Sequence, residues 1–241
     1  DGIGDYILRD RIIRRSLDPK WVGDVHEAIP LSPLWKCVYA SDITIVHKKE
    51  YVNDVNRNMG IFNKMIKEGK NFSSFDKINY CKELVISKDY EKAYSVFKQI
   101  KQTADDICYY CALFFVVNGL IADKKYNECI TEIEELDRKM SITAYMVYKQ
   151  GLCYEKLGNL SKAKECYRHA MTIPEAPSTL FIQYTGCADY FPMLRLAIIA
   201  AIEGDRRTAK TYLDKASMLY PKNKEWKNAK INLMLLSYKH C

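Results

Sequence analysis

The feature that most constrains the fold of this chain is a double apolar stripe in its middle. Small and apolar residues recur three or four positions apart, first at Val147, Gly151 and Tyr154 and then, after a Leu-Gly-Asn sequence, at Ala163, Tyr167 and Ala170. Such spacing places side chains on one face of an α-helix. Gly158 lies between the stripes, where the C-terminus of a helix commonly takes a positive φ. The stretch therefore predicts two helices joined by a tight turn.

The two glycines of this stretch could serve phosphate binding or helix packing. A phosphate-binding P-loop needs a glycine-rich turn that ends in Gly-Lys-Ser/Thr directly after a strand. The segment GLCYEKLGNLSK, which begins at Gly151, has neither that ending nor a preceding strand pattern. We therefore expect Gly151 to lie where the partner helix approaches most closely, because a side chain there would hold the helices apart.

The same pattern returns along most of the chain. A 34-residue frame fits residues 74–107, 110–143, 144–177 and 190–223. The units begin 36, 34 and 46 residues apart, and the last interval leaves a 12-residue insertion, residues 178–189. A period of this length is typical of helical repeat proteins, in which each unit packs on its neighbours. We expect the insertion to form an extra helix or a loop at the edge of the groove that stacked repeats create.

This pattern resembles the tetratricopeptide repeat (TPR), a 34-residue helix–turn–helix unit. That family places a small residue eighth, an aromatic eleventh, and alanines twentieth and twenty-seventh, which Gly151, Tyr154, Ala163 and Ala170 match. The resemblance implies an all-α fold, a TPR-like solenoid of about four helical hairpins over the units given above.

The two ends of the chain do not fit the repeat. The first 73 residues are expected to form a helical and irregular extension that packs on the repeats, with helical periodicity in DYILRDRIIRR and YVNDVNRNMGIFNKMIKEG. The segment between these two contains three prolines and is expected to be irregular. Residues 224–241 predict a C-terminal capping helix whose Trp226 and Leu233 would face the last repeat.

The resemblance implies a non-catalytic scaffold or adaptor for protein–protein interaction, a subunit of a larger multiprotein complex. In this family the first helix of each repeat lines a concave groove, where a partner's helix or extended segment binds. Carried onto this sequence, the groove positions predict the partner-binding residues Phe75, Ile78, Asn79, Lys82, Phe114, Phe115, Asn118, Tyr145, Tyr148, Lys149, Phe191 and Arg195.

The predicted groove is unusually apolar, so another surface should cover it. The cover could be a partner protein, a second copy of this chain in a homodimer, or the chain's own first 73 residues. A further alternative is that the frame is shifted by one residue and these side chains form the core between repeats. The carboxylate clamp of chaperone-binding members is not predicted, because only Asn118 and Arg195 fall on its positions.

The net charge of +7 is concentrated at the C-terminal end, where residues 205–241 hold nine Lys or Arg and three acidic residues. An anionic partner would therefore bind there. The residues that would form this basic patch are Arg206, Arg207, Lys210, Lys224, Lys227 and Lys230. Such runs are more often solvated helix faces. RNA binding, as in pentatricopeptide repeats, is the alternative function, but those repeats keep strict spacing and this groove offers few basic side chains.

No motif in the sequence indicates an enzyme, and neither a cofactor nor a metal is predicted. The segment CYYC, Cys108 to Cys111, has the spacing of zinc and redox sites, but no second pair of ligands follows it. The nine cysteines are an odd number, and Cys129, Cys153 and Cys166 lie at core-like positions of helical patterns. This favours a reducing intracellular compartment, the cytoplasm or nucleus, with the mitochondrial matrix left open. The longest apolar run, CALFFVVNGLIA, falls short of the roughly 20 residues that span a bilayer.

Overall fold

A computed structural model describes residues 5–6, 13–25, 27, 29, 38, 56–174 and 183–221 of the chain. These residues contain nine α-helices: α1 (Arg57–Lys67), α2 (Ser74–Ile86), α3 (Tyr90–Thr103), α4 (Asp106–Ala122), α5 (Tyr126–Asp137), α6 (Ala144–Lys156), α7 (Leu160–Ala170), α8 (Tyr190–Ile202) and α9 (Arg206–Leu219). They also contain a 3-10 helix, Arg15–Leu17, and two short antiparallel strands, β1 (Asp5–Tyr6) and β2 (Gln183–Tyr184). The predicted all-α class is confirmed.

The helices from α2 to α9 form four consecutive hairpins, α2–α3, α4–α5, α6–α7 and α8–α9. Each hairpin turns through three residues, and the middle residue of every turn has a positive φ: Lys88, Lys124, Gly158 and Gly204. The residue that follows caps the second helix in three of the four hairpins, where Asp89, Asn159 or Asp205 accepts a hydrogen bond from a backbone N–H. One turn geometry therefore reverses the chain four times.

Close packing inside the third hairpin depends on the glycine at its centre. A Cβ atom on Gly151 would lie 2.6 and 2.8 Å from two ring carbons of Tyr167 and 3.2 Å from Cβ of Cys166. Tyr167 is fully buried, and its hydroxyl donates a hydrogen bond to Glu155 over 2.7 Å. The packing role predicted for Gly151 is confirmed, because α7 occupies the space that a side chain would need.

Neighbouring hairpins are joined by apolar clusters and by a buried carboxylate. The largest cluster contains residues from α2 to α6, and a smaller one joins Ala163 and Tyr167 of α7 to Leu196 and Ile199 of α8. Glu132 of α5, only 5% exposed, accepts hydrogen bonds from the hydroxyls of two tyrosines and from Lys101 Nζ, over 2.9, 3.0 and 2.8 Å. The tyrosines are Tyr94 of α3 and Tyr109 of α4. This network ties the first hairpin to the second.

The described part of the N-terminal extension contacts the first hairpin. Val25 is buried against Phe62 and Met65 of α1 and against residues of α2 and α3. The side chains of Asp24 and Lys70 form an ion pair. The helix α1 lies within the second of the two predicted N-terminal helices.

One prediction for the extension is wrong at the residues that the structure describes there. Residues 5–15 have helical periodicity, but Asp5–Tyr6 form the strand β1, because they pair with β2 of the insertion: Asp5 lies opposite Tyr184 and Tyr6 opposite Gln183. Main-chain pairing with a distant segment overrides the local preference here. The predicted capping helix, with Trp226 and Leu233, lies outside the described residues.

Candidate partner-binding groove

Aromatic rings from three first helices and the insertion form a continuous tract. In order, its rings are Phe115, Phe114, Tyr145, Tyr184, Phe191 and Tyr148, and neighbouring centroids lie 4.5 to 6.4 Å apart. We call these six residues the aromatic tract. Phe114 and Phe115 belong to α4, Tyr145 and Tyr148 to α6, and Phe191 to α8. The tract therefore crosses the second, third and fourth hairpins.

Burial divides the predicted groove residues into two groups. Four of them are buried at 9% exposure or less: Ile78, Asn79, Phe114 and Tyr145. Phe75 is 43% exposed, and the rest are partly exposed: Lys82, Phe115, Asn118, Tyr148, Lys149, Phe191 and Arg195. The buried group has the surroundings expected of a core between repeats, whereas the second group has the exposure that a groove lining requires.

Two lysines lie over the faces of aromatic rings along this surface. Nζ of Lys82 is 5.7 Å from the ring centroid of Phe115, and Nζ of Lys149 is 5.0 Å from that of Tyr145. Burial lowers the pKa of Lys149, and the titratable groups that act on it are the thiols of Cys187, Cys129 and Cys153 rather than a carboxylate. A partly desolvated cation beside aromatic rings favours an anionic or π-rich contact.

The other polar residues predicted for the groove are engaged within the fold. Arg195 Nε donates to Glu155 over 2.9 Å, and a second guanidinium nitrogen contacts the same carboxylate, which ties α8 to α6. Asn118 Nδ2 donates to the Tyr145 hydroxyl over 2.7 Å, and Asn79 Nδ2 to the carbonyl of Phe75 over 3.1 Å. The bonds of Arg195 and Asn118 join helices that carry the tract, whereas that of Asn79 lies within α2.

The insertion supplies the tract residue that the sequence analysis missed. After β2, Cys187 is only 1% exposed and belongs to the largest core cluster, and the carbonyl of Gly186 accepts a hydrogen bond from the N–H of Phe191 over 2.8 Å. Tyr184 lies against Tyr145 and Phe191 and is 37% exposed. The described part of the insertion is thus a loop packed on the groove. In the sequence, the apolar residues and the tyrosine of the insertion were the features that could have indicated this packing.

The basic patch is only partly within the described residues. Arg206, Arg207 and Lys210 are exposed at the start of α9, and Lys210 forms an ion pair of 3.4 Å with Asp214 on the same helix. Lys224, Lys227 and Lys230 lie outside the described residues. An exposed ion pair within one helix contributes little to stability. The side chains of Arg206, Arg207 and Lys210 are therefore accessible to solvent and to a partner.

The cysteines of the CYYC segment lie in the first two turns of α4. Burial is the largest cause that raises the pKa of the Cys108 thiol, and it raises that of Cys111 to about 11. In the part of the chain that the structure describes, no three His, Cys, Asp or Glu side chains come together as a metal site would require. Among the described helices, none combines the length and the apolar character needed to cross a bilayer.

Comparison with known families agrees with the hairpin geometry. Residues 144–177, which contain α6 and α7, match the family model described as tetratricopeptide repeat. The resemblance stated from this stretch is therefore confirmed. No curated protein sequence matched the chain. A tetratricopeptide repeat indicates a role in protein–protein interaction in general, and such repeats are typically non-catalytic.

Proposed function

We propose that this chain is a scaffold or adaptor subunit of a multiprotein assembly, in which the aromatic tract contacts a segment of a partner protein. In this proposal the repeats are residues 74–107, 110–143, 144–177 and 190–223, flanked by an extension over 1–73 and a cap over 224–241. One observation carries the proposal: partly exposed rings from three successive first helices, Phe115, Tyr148 and Phe191, belong to one unbroken tract.

The chemistry of the tract indicates what kind of segment it would bind. Aromatic rings offer large apolar contact areas at low entropic cost, and they are enriched where interfaces gain most of their affinity. Lys82 and Lys149 add positive charge beside the rings. A partner segment with aromatic or aliphatic side chains and an acidic residue would complement both features.

A charge introduced into the tract tests the proposal. Phe115→Glu places a carboxylate in the tract, and Gln99→Glu adds the same charge at an exposed position of α3. Proteins that co-purify with the tagged full chain from its own cells are quantified for each variant by mass spectrometry. We expect a set of proteins that Phe115→Glu loses at least about tenfold and Gln99→Glu retains, with unchanged helicity by circular dichroism in both variants. Equal recovery with both variants would reject the tract as the binding surface.

Self-association is tested on the same preparations. Light scattering after size exclusion gives the mass of the full chain, and a dimer that Phe115→Glu converts to a monomer would identify a second copy as the partner. The groove supports the RNA alternative less than its sequence suggests, because one of its three predicted basic side chains, Arg195, is bound to Glu155. Titration of a labelled single-stranded RNA, with and without Arg206→Glu, would test the basic patch separately.

A further inference from the structure

The insertion and the N-terminal extension meet in a two-stranded ribbon beside the aromatic tract. In it, Asp5 pairs with Tyr184 and Tyr6 with Gln183. The two strands are far apart in sequence, and each has only two residues. The ring of Tyr184 in β2 lies 5.8 Å from that of Tyr145 and 6.4 Å from that of Phe191, so β2 contributes a ring to the tract.

The described contacts of the two strands differ. β2 leads directly into a buried turn, in which Cys187 is packed in the core and Gly186 is hydrogen-bonded to Phe191. β1 is held to β2 through a ladder of two residues. A backbone hydrogen bond contributes about 0.5–1.5 kcal/mol net, and isolated two-stranded ribbons are at best marginally stable. Among the described residues, β2 therefore has a buried anchor, whereas the attachment of β1 is the two-residue ladder, which makes β1 the candidate for exchange.

We propose that β2 is a docking strand for an extended segment of a partner, and that the chain's own Asp5–Tyr6 occupies it in the free protein. The inference rests on the proposed function, since it specifies how a partner reaches the aromatic tract. Strand addition supplies affinity through main-chain hydrogen bonds and specificity through alternate side chains. A segment added to β2 in place of β1 would place its side chains beside Tyr184 and the neighbouring rings.

Exchange of this kind makes the N-terminal segment a competitor of the partner. A tethered segment acts at an effective concentration on the order of millimolar. An incoming segment therefore binds more weakly while β1 is in place and more tightly once β1 is released. The extension would set the threshold at which the groove accepts a partner.

The first test asks whether β1 occupies β2 in the full chain in solution. Directly opposed residues of an antiparallel pair have Cα atoms about 4.5–5.5 Å apart, which a disulfide can bridge. Tyr6→Cys with Gln183→Cys should therefore cross-link under mild oxidation, detected by peptide mapping. The matched control, Tyr6→Cys with Thr185→Cys, is out of register by two residues and should cross-link at least about tenfold more slowly. Equal rates for the two pairs would overturn the proposal.

The second test measures exchange with a defined probe, a fluorescein-labelled peptide of sequence DGIGDYILRD, residues 1–10 of this chain. Fluorescence anisotropy follows its binding to the wild type, to the disulfide-locked chain, and to Asp5→Pro/Tyr6→Pro, whose β1 can donate no main-chain hydrogen bond. We expect the proline variant to bind the peptide at least about tenfold more tightly than the wild type, and the locked chain not to bind it. A peptide with the same two proline substitutions is the control and should not bind.

Two results of the peptide test would overturn strand exchange: no binding to any variant, or equal binding to the locked and the proline variants. Neither result depends on the partner of the proposed function. If the peptide exchanges as expected and Phe115→Glu still loses no co-purifying protein, the proposed function fails by itself. If the peptide does not exchange while Phe115→Glu abolishes partner recovery, only the strand inference fails.

Discussion

Replacing Gly151 by alanine adds one methyl group at the closest helix contact described above. Its Cβ would lie 2.6 and 2.8 Å from the ring of Tyr167, well inside ordinary van der Waals contact. The ring has little freedom to move, because it is fully buried and its hydroxyl is bonded to Glu155. Relief of the clash must therefore come from separating α6 and α7 or from breaking that hydrogen bond.

The expected cost follows from two opposing effects. Overpacking a tightly packed site costs about 1–3 kcal/mol, and two ring atoms inside 3.0 Å place this site in the upper part of that range. Alanine is favoured over glycine within a helix by about 1 kcal/mol, which offsets part of the cost. We expect Gly151→Ala to lower the free energy of unfolding by about 1–2 kcal/mol. The melting temperature would fall by about 2–8 °C for a domain of this size.

Two other glycines serve as matched controls for this prediction. Gly60 lies within α1, and a Cβ there would have no atom within 4 Å, so Gly60→Ala should stabilise by up to about 1 kcal/mol. A Cβ on Gly119 would lie 3.2 Å from side-chain atoms of Val85 and Tyr90. The change in the free energy of unfolding for Gly119→Ala should therefore lie between those of Gly151→Ala and Gly60→Ala. Urea unfolding of all three variants, followed by circular dichroism, measures the series. A Gly151→Ala protein as stable as Gly60→Ala would refute the packing argument.

Three further predictions concern the core and its titration. Glu132→Ala removes a buried carboxylate that accepts hydrogen bonds from Tyr94, Tyr109 and Lys101, although Lys101 keeps its ion pair with Glu135 and the Tyr109 hydroxyl keeps its bond to the main-chain carbonyl of residue 132. Urea unfolding should therefore show a loss of about 1–3 kcal/mol, against less than about 1 kcal/mol for the more exposed Glu135→Ala. Hydrogen bonds from the first turn of α4 hold the pKa of Asp105 below its ordinary value of 3.8. The ionised Asp105 therefore stabilises the fold fully above that pH, and this stabilisation is lost as the pH falls through the lower pKa of the folded state. Urea midpoints between pH 2 and 6 should therefore fall less steeply for Asp105→Asn. Burial raises the pKa of Cys81 to about 12, so mass spectrometry should find this thiol unalkylated by iodoacetamide at pH 8 until the protein unfolds.

The hairpins were predictable because the residues that determine the fold of each hairpin lie within about 34 consecutive positions. The apolar stripes at Gly151 and Tyr167 specify two helices and the contact between them. The turns were predictable only where glycine marks them, at Gly158 and Gly204. At the equivalent places Lys88 and Lys124 take positive φ values of 64° and 60°, which nothing in their local sequence indicates, because lysine usually avoids that conformation.

The helical positions of the candidate groove residues were predictable, but their exposure was not. Helix α4 is apolar on all sides and buries residues around most of its circumference, so its sequence gives no sign of which aromatic faces the core. Phe114 proves to be buried, whereas its neighbour Phe115 is partly exposed. The pairing of β1 with β2 had no local signal either, since it joins Asp5 to Tyr184 across most of the chain and opposes the helical periodicity of the first segment.

The four turns inside the hairpins have the same length, three residues each, whereas the connections between hairpins range from two residues, 104–105, to nineteen, 171–189. In this chain, differences in length therefore fall at the joints and not at the turns within hairpins. A segment added at a joint leaves the turn of each helix pair unchanged. The segment that carries Tyr184 lies at the longest joint, so its sequence could change without altering the three-residue turns of the hairpins beside it.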